Sequence, residues 1–202
     1  MPVLVLADHS EGKFKNTALE LISYGKSIAK MANTKLIVAT IRATDVSGLS
    51  GYGPDKVINI VNDRLGVFNA KAIADALSQL AEKESADIIV LDSSNNSKYL
   101  APLLAVNLNA GMASGVTEVP VSLNPFVVKR VAFSSKAFVH TEIKSGKKII
   151  CLAKNSFGIK EEKTSPATEE FTAALSEADF RITLSAVEKT SGKITIADAD
   201  VV

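Results

Sequence analysis

The chain has 202 residues, of which 47% are hydrophobic and 22% are charged, and its formal net charge is +1. This composition is typical of a folded globular protein and excludes a disordered chain. The charges are spread along the sequence without a basic stripe, so neither nucleic acid nor an anionic membrane surface is indicated as a partner.

Four short, mostly apolar runs in the first half of the chain predict buried strands. They are too short for helices and rich in β-branched and aliphatic residues, as is typical of parallel strands that helices cover on both faces. The runs are residues 3–7, 36–41, 57–61 and 88–91. The first begins at Val3 and leaves no room for a signal peptide, and no apolar run approaches the ~20 residues of a membrane span. We therefore expect a cytoplasmic protein without membrane insertion.

Apolar side chains recur at three- and four-residue steps between these strands, which predicts amphipathic helices. The first helix follows residue 16, and the second follows Asn69, which can cap it. A third helix is predicted from about Lys98, on condition that Pro102 lies in its first turn. Gly111 is the expected carboxyl-terminal cap of this helix. Its buried face is expected to comprise Leu100, Leu103, Leu104 and Leu108.

The second half of the chain carries a different pattern. Residues 126–132 are a predicted strand, and two further apolar segments flank a Ser-Gly turn, which predicts an antiparallel hairpin over residues 137–153. Charged residues and a proline make residues 160–168 a solvated linker by composition. Beyond it, alternation with polar residues predicts a half-exposed strand that contains Phe180, Ile182 and Leu184.

The order of these elements indicates a three-layer α/β/α sandwich with a mostly parallel central sheet, the architecture of adenine-nucleotide-hydrolase-like proteins, plus an antiparallel extension. The strand at residues 88–91 is expected in the middle of the sheet. We divide the single domain into an α/β core (1–119), an antiparallel strand extension (120–157), and a linker with closing strands (158–202).

A search for reaction chemistry finds few candidates. Gly48, Gly51 and Gly53 invite comparison with a phosphate-binding loop, but a strand follows them where such a loop needs a helix, which favours a plain connection. His9 and His140 have no cysteine, histidine or carboxylate at helical ligand spacing. No metal site is therefore predicted.

Asp8 and Asp92 each follow a predicted central strand, and the carboxyl ends of parallel strands meet at one edge of a sheet. Paired carboxylates there could perform acid–base chemistry, but polar residues also end strands routinely. Cys151 lies in an apolar strand, where a buried thiol is inert. The sequence thus predicts no catalytic, cofactor-binding or metal-ligating residue on this chain, and catalysis by the two aspartates stays open as the alternative.

Four segments occur in an informative order. The chain opens with VLVLADH at residues 3–9, continues with LAP and NAG within residues 100–111, has an aromatic residue at Phe157 after a strand, and closes with ITIADADVV at residues 194–202. Together they resemble the amino-terminal domain of the alpha subunit of electron transfer flavoprotein, and the resemblance covers nearly the whole chain.

This resemblance implies an electron carrier subunit without a catalytic site of its own. In that family the alpha subunit pairs with a beta subunit and holds FAD mainly through a second domain. The heterodimer relays electrons from acyl-CoA or other dehydrogenases to a membrane-bound quinone reductase. The family's FAD-binding domain begins just beyond the position that matches Val202. We therefore expect FAD in the full-length subunit, none on this chain, and a scaffold and partner-facing role for the present domain.

Three positions depart from the family pattern. Lys98 and Leu103 stand where arginines are common, and Gly115 replaces a common aspartate. These departures remove charge-assisted hydrogen bonds from the corner between loop and helix, so we expect this corner to dock its partner differently.

The rival hypothesis is a nucleotide-binding protein or enzyme of the adenine-nucleotide-hydrolase-like group, which shares this architecture. Such a protein should carry a glycine-rich phosphate turn between a strand and a helix. The two candidate loops, residues 8–15 and 92–97, contain only Gly12. A third hypothesis is an interaction domain that binds no small molecule, and for this chain it is nearly the same as the first.

Overall fold

The structure is a computed structural model that describes residues 2–10, 12–182 and 185–186. Its α-helices are α1 (Asn16–Met31), α2 (Ala70–Lys83) and α3 (Asn95–Asn107). Its strands are β1 (Val3–Leu6), β2 (His9–Ser10), β3 (Lys13–Phe14), β4 (Leu36–Ile41), β5 (Lys56–Ile60), β6 (Ile88–Asp92), β7 (Gly111–Val116), β8 (Ser122–Leu123), β9 (Phe126–Ala132), β10 (Ala137–Glu142), β11 (Lys148–Leu152) and β12 (Ala167–Phe171). Short 3₁₀ helices cover Ser47–Gly51, Asp63–Gly66 and Glu177–Phe180.

One large mixed sheet organises the molecule, in the order β10-β9-β7-β11-β6-β1-β4-β5-β12, with β8 paired to β9. From β7 to β12 along this order, all neighbouring strands are parallel. At the other end of the sheet, β9 is antiparallel to β7, and β10 is antiparallel to β9. β6 lies in the middle beside β1, with Ile88 opposite Val3. The predicted parallel pairing of these two central strands is confirmed.

Helices cover both faces of the sheet, which confirms the predicted three-layer α/β/α architecture. α1 packs in one apolar cluster, and α2 and α3 share the other. α1 approaches the sheet closely at Gly25, where an added Cβ would stand 2.5 Å from Cγ2 of Val5. Asn69 caps α2 by accepting a hydrogen bond from the amide of Ala72, as predicted. No helix among the described residues is long and apolar enough to cross a bilayer.

The predicted first residue, buried face and carboxyl-terminal cap of α3 need correction. The helix begins at Asn95, because the hydroxyl of Ser94 caps it, and Pro102 therefore lies in its interior and not in its first turn. Leu100, Leu104 and Leu108 are buried as predicted, whereas Leu103 is 40% exposed. Ser97 and Ala101 are buried in its place. The helix is closed by Asn109 with a φ of 49°, and Gly111 begins β7.

The predicted hairpin over residues 137–153 is wrong. β10 does form an antiparallel pair, but with β9, and β11 inserts in parallel between β7 and β6. The physical reason is that all five residues of β11 are buried. Such a strand gains most at a position that is covered on both faces. Residues 148–152 thus belong to the core sheet and not to the antiparallel extension.

The carboxyl-terminal region also differs from the expectation. The predicted linker at residues 160–168 runs into β12, which pairs in parallel with β5 at the far edge of the sheet. Phe180 ends a 3₁₀ helix and is not in a strand. That helix is held to α2 by the ion pair of Lys71 with Asp179, so the local alternation was misleading. Leu184 and residues 194–202 lie outside the described part of the chain.

Candidate functional site

Two loops meet at the carboxyl edge of the sheet, between β1 and β6. From β1 the chain moves to β4 and β5 on one side, and β6 then returns to the other side of β1. The helices that follow β1 and β6, α1 and α3, lie on opposite faces of the sheet. This is a topological switch point, the place where open α/β sheets form a crevice for ligands.

A small cavity of about 80 Å³ opens at this switch point. Asp8 and Asp92 both line it, so the structure brings together the two carboxylates that the sequence placed at the same edge. Its apolar walls are formed by Leu6, Ile41, Phe68, Ile73 and Leu100. The space is about half of an apolar cavity of ~150 Å³ that admits benzene. A purine ring would therefore not be enclosed here.

Asp92 is tied to the first turn of α3. One of its carboxylate oxygens accepts hydrogen bonds from the hydroxyls of Ser94, at 2.8 Å, and Ser97. Ser94 in turn accepts a hydrogen bond of 3.2 Å from the amide of Ser97 and so caps the helix. A negative charge at the amino end of a helix is stabilised by the unpaired amides there. Asp92 thus occupies the position where a nucleotide-binding helix would hold a phosphate.

Asp92→Asn is expected to lower the free energy of unfolding by about 1 kcal/mol, because the neutral side chain loses the charge-assisted hydrogen bonds from Ser94 and Ser97 and the favourable interaction of a negative charge with the helix dipole. Chemical denaturation at pH 7 measures this change, and Glu82→Gln, at an exposed position of α2, serves as the control. A more stable Asp92→Asn variant would instead indicate a carboxylate retained for chemistry at the expense of stability.

Asp8 and His9 form the other side of the switch point. Asp8 pairs with Lys15 at 2.8 Å and its side chain is 58% exposed. His9 lies in the small β2–β3 hairpin, which occupies what the sequence suggested was a plain loop. Its Nε2 lies 2.8 Å from the carbonyl oxygen of Ile41 and must be the donor, because a carbonyl only accepts. Nδ1 is buried without a partner in the described part of the chain.

The remaining candidates lie outside the switch-point cavity. His140 is exposed on β10, and no group of three or more histidine, cysteine or acidic residues within the described ranges could hold a metal ion. Cys151 is buried in β11, and burial raises the pKa of its thiol to about 12, with a smaller contribution from Asp92. The thiol is therefore protonated and unreactive at neutral pH. The glycine-containing loop before Lys56 leads into β5, as predicted.

Sequence analysis missed a buried carboxylate beside this edge. Glu20 of α1 is 4% exposed and accepts hydrogen bonds from the backbone amides of Asn155, Phe157 and Gly158, at 2.8–2.9 Å. Ser23, one turn later, exchanges hydrogen bonds with the backbone of Lys160. Both partners are more than 130 residues away in the sequence, so no local pattern could reveal them. These contacts fasten the segment after β11 along α1.

Comparison with known proteins agrees with the resemblance read from the sequence. Residues 3–176 match the model of the electron transfer flavoprotein domain. The electron transfer flavoprotein alpha subunit of Bacillus subtilis is 23% identical over 99% of this chain and 62% of its own length. The corresponding alpha subunit of Thermoanaerobacterium thermosaccharolyticum is 21% identical over 99% of this chain and 63% of its own length.

A third relative carries a different subunit name. The acryloyl-CoA reductase electron transfer subunit beta of Anaerotignum propionicum is 29% identical over 62% of this chain and 35% of its own length. The present chain thus spans less than two thirds of the length of the relatives named here. Because the domain model covers most of the chain, from β1 to beyond β12, this protein belongs to the electron transfer flavoprotein family.

Proposed function

We propose that this chain is the scaffold and partner-facing domain of an electron transfer flavoprotein alpha subunit. In the complete protein it pairs with a beta subunit, and the heterodimer carries electrons from acyl-CoA or other dehydrogenases to a quinone reductase. The match of two alpha subunits along 99% of this chain, over only 62–63% of their own length, is the observation that carries the proposal. The proposed compartment is the cytoplasm.

We assign the FAD of the complete subunit to a further domain beyond the matched region. The switch-point residues do not suit a dinucleotide, because Asp92 holds the amino end of α3 and Asp8 already neutralises Lys15. A pyrophosphate placed there would face two carboxylates. A wider groove of about 380 Å³ on the α1 side is lined by the same two aspartates and Glu20, and also by Lys154 and by Lys15, which pairs with Asp8. We assign no step of electron transfer to residues of this chain.

The purified chain is expected to bind FAD more weakly than 10 μM, because flavin binding needs amides at a free helix terminus for the pyrophosphate and a groove for the rings. Titration followed by flavin fluorescence and by calorimetry measures this. A dissociation constant tighter than about 10 μM, which corresponds to roughly 7 kcal/mol, would contradict the assignment of FAD to another domain.

The same titration distinguishes the rival hypothesis. AMP and ATP are the probes, and saturable binding of either would favour a nucleotide-binding protein or enzyme of the adenine-nucleotide-hydrolase-like group. Asp92→Ala is the informative variant, because it removes the carboxylate that occupies the amino end of α3. If nucleotides bind only to this variant, the carboxylate is what excludes them from the switch point.

A further inference from the structure

A second groove, of about 330 Å³, opens between α3 and β7 at the carboxyl edge of the sheet, and we call it the α3–β7 groove. Its walls are mostly apolar: Ala101 and Pro102 line it from α3, Met112 from β7 and Cys151 from β11. The groove has more than twice the volume of an apolar cavity of ~150 Å³ that admits benzene. An aromatic ring or an alkyl chain of about six carbons therefore fits between the helix and the strands.

A bulge in β7 shapes the strand side of the α3–β7 groove. Along the ladder of β7 with β11, Ser114 lies opposite Cys151 but Val116 lies opposite Leu152, so Gly115 is an extra residue in β7. Its φ is 69°, in the left-handed region that favours glycine. Bulges are frequent beside binding sites, because the extra residue changes the direction of the strand and of its side chains. The groove is thus built by an irregularity of a kind that often adjoins a ligand.

Two charged side chains line the α3–β7 groove, and only one of them is already compensated. Asp92 accepts hydrogen bonds from the hydroxyls of Ser94 and Ser97 and lies at the amino end of α3, which stabilises its negative charge. The ammonium of Lys98 donates a hydrogen bond of 3.2 Å to the neutral side-chain oxygen of Asn95 and forms no ion pair within the described ranges. The uncompensated charge at the groove is therefore positive.

Ser114 provides a second donor at the α3–β7 groove. Its side chain is exposed near the end of β7, and its hydroxyl has no hydrogen-bond partner in the part of the chain that the structure describes. A carboxylate accepts hydrogen bonds and donates none, so it complements both Lys98 and Ser114. Asp92 ends β6, two strands away from β7, and lies on the order of 10 Å from Ser114, where water and salt weaken its repulsion of an anion.

We propose that the α3–β7 groove binds a small amphipathic carboxylate. The apolar body, of about six carbons, lies against Pro102 and Met112, and the carboxylate pairs with Lys98 and Ser114. A purely apolar molecule leaves the charge of Lys98 uncompensated, and a protonated amine is repelled by it. The inference goes beyond the proposed function and does not depend on it, since it concerns a free small molecule and not a subunit.

Hexanoate is the probe, and 1-hexanol and hexylamine are matched molecules that carry a neutral or a positive end on the same chain. Each is titrated into the ¹⁵N-labelled chain, and the amide resonances are followed by NMR. Hexanoate is expected to shift the amides of Met112, Ser114 and Gly115 saturably, with a dissociation constant below about 1 mM. It should bind about 5-fold more tightly than 1-hexanol, as an exposed ion pair allows, and hexylamine should bind most weakly.

Two variants test the two halves of the site. Ser114→Phe fills the groove with a ring and is expected to weaken hexanoate binding about 20-fold, whereas Thr168→Phe adds the same ring at an exposed position of β12, at the far end of the sheet, and is the control. Lys98→Gln should remove the preference for hexanoate over 1-hexanol without weakening 1-hexanol. Lys35→Gln, at an exposed position before β4, is its control. Thermal unfolding verifies that all variants remain folded.

Four results would overturn the proposal. Without saturable shifts from hexanoate at these amides, the groove is not a binding site. Equal binding of hexanoate and 1-hexanol would show that no anion is selected, and tighter binding of hexylamine would make Asp92 the group that selects the ligand. Hexanoate binding that Ser114→Phe leaves intact would place the ligand outside the groove. None of these results bears on FAD or on a second subunit, so the proposed function is tested separately.

Discussion

Leu104→Ala is expected to lower the free energy of unfolding by roughly 2–5 kcal/mol, because the substitution removes buried apolar atoms and leaves a cavity. Leu104 is fully buried where α3 packs on the sheet, in the same apolar cluster as Leu100 and Ile149. The neighbouring elements cannot move to fill the space, because α2 and the central strands pack against the same cluster. Urea denaturation followed by circular dichroism measures the change.

The adjacent residue provides the control for this experiment. Leu103→Ala removes the same atoms from a side chain that is 40% exposed, so it should cost less than about 1 kcal/mol. A loss below about 1 kcal/mol for Leu104→Ala would contradict the observed rotation of α3 about its axis.

The elements that sequence analysis predicted correctly are those whose pattern reflects burial directly. β1 and β6 are continuous apolar runs, and only the covered centre of a parallel sheet suits such strands. α2 has an apolar stripe of regular period and a capping asparagine. In these segments the local preference and the tertiary environment agree, so the sequence alone was sufficient.

The errors arose where a distant partner decides the structure. The turn at Ser145 and Gly146 suggested a hairpin, but pairing with β6 and β7 buries the whole of β11. β12 reads ATEEF and is mostly exposed, and it becomes a strand only because the open edge of β5 accepts it. Loop length and local alternation contain no information about such edges.

The candidate site was predictable only in part. Asp8 and Asp92 follow adjacent parallel strands, so their convergence follows from topology alone. The hydrogen bond from Ser97 to Asp92 depends on where α3 begins. The sequence placed that start at Lys98, three residues later than the observed start at Asn95, and so missed the contact.

The buried carboxylate of Glu20 leads to the second large expected effect. Asn155 and Gly158 adopt φ angles of 58° and 83°, and the resulting turn directs the amides of residues 155, 157 and 158 toward one point. A carboxylate is suited to this point because it carries two acceptor oxygens and no donor. The burial of its charge is offset by these three charge-assisted hydrogen bonds.

Glu20→Ala is expected to lower the free energy of unfolding by about 3 kcal/mol, because three part-buried backbone amides lose a charged acceptor, at roughly 1–3 kcal/mol each, and water replaces part of the loss. Glu20→Gln should have an intermediate effect, since one carbonyl oxygen still accepts while the amide group opposes a backbone donor. Glu82→Ala, at an exposed position of α2, is the control and should change stability by less than about 0.5 kcal/mol.

Hydrogen exchange of residues 155–160 locates the effect: these amides should lose protection in Glu20→Ala, whereas those of β6 should follow the global change. Unchanged protection there would mean that the turn keeps its conformation without the carboxylate, and that Glu20 does not fasten the segment to α1.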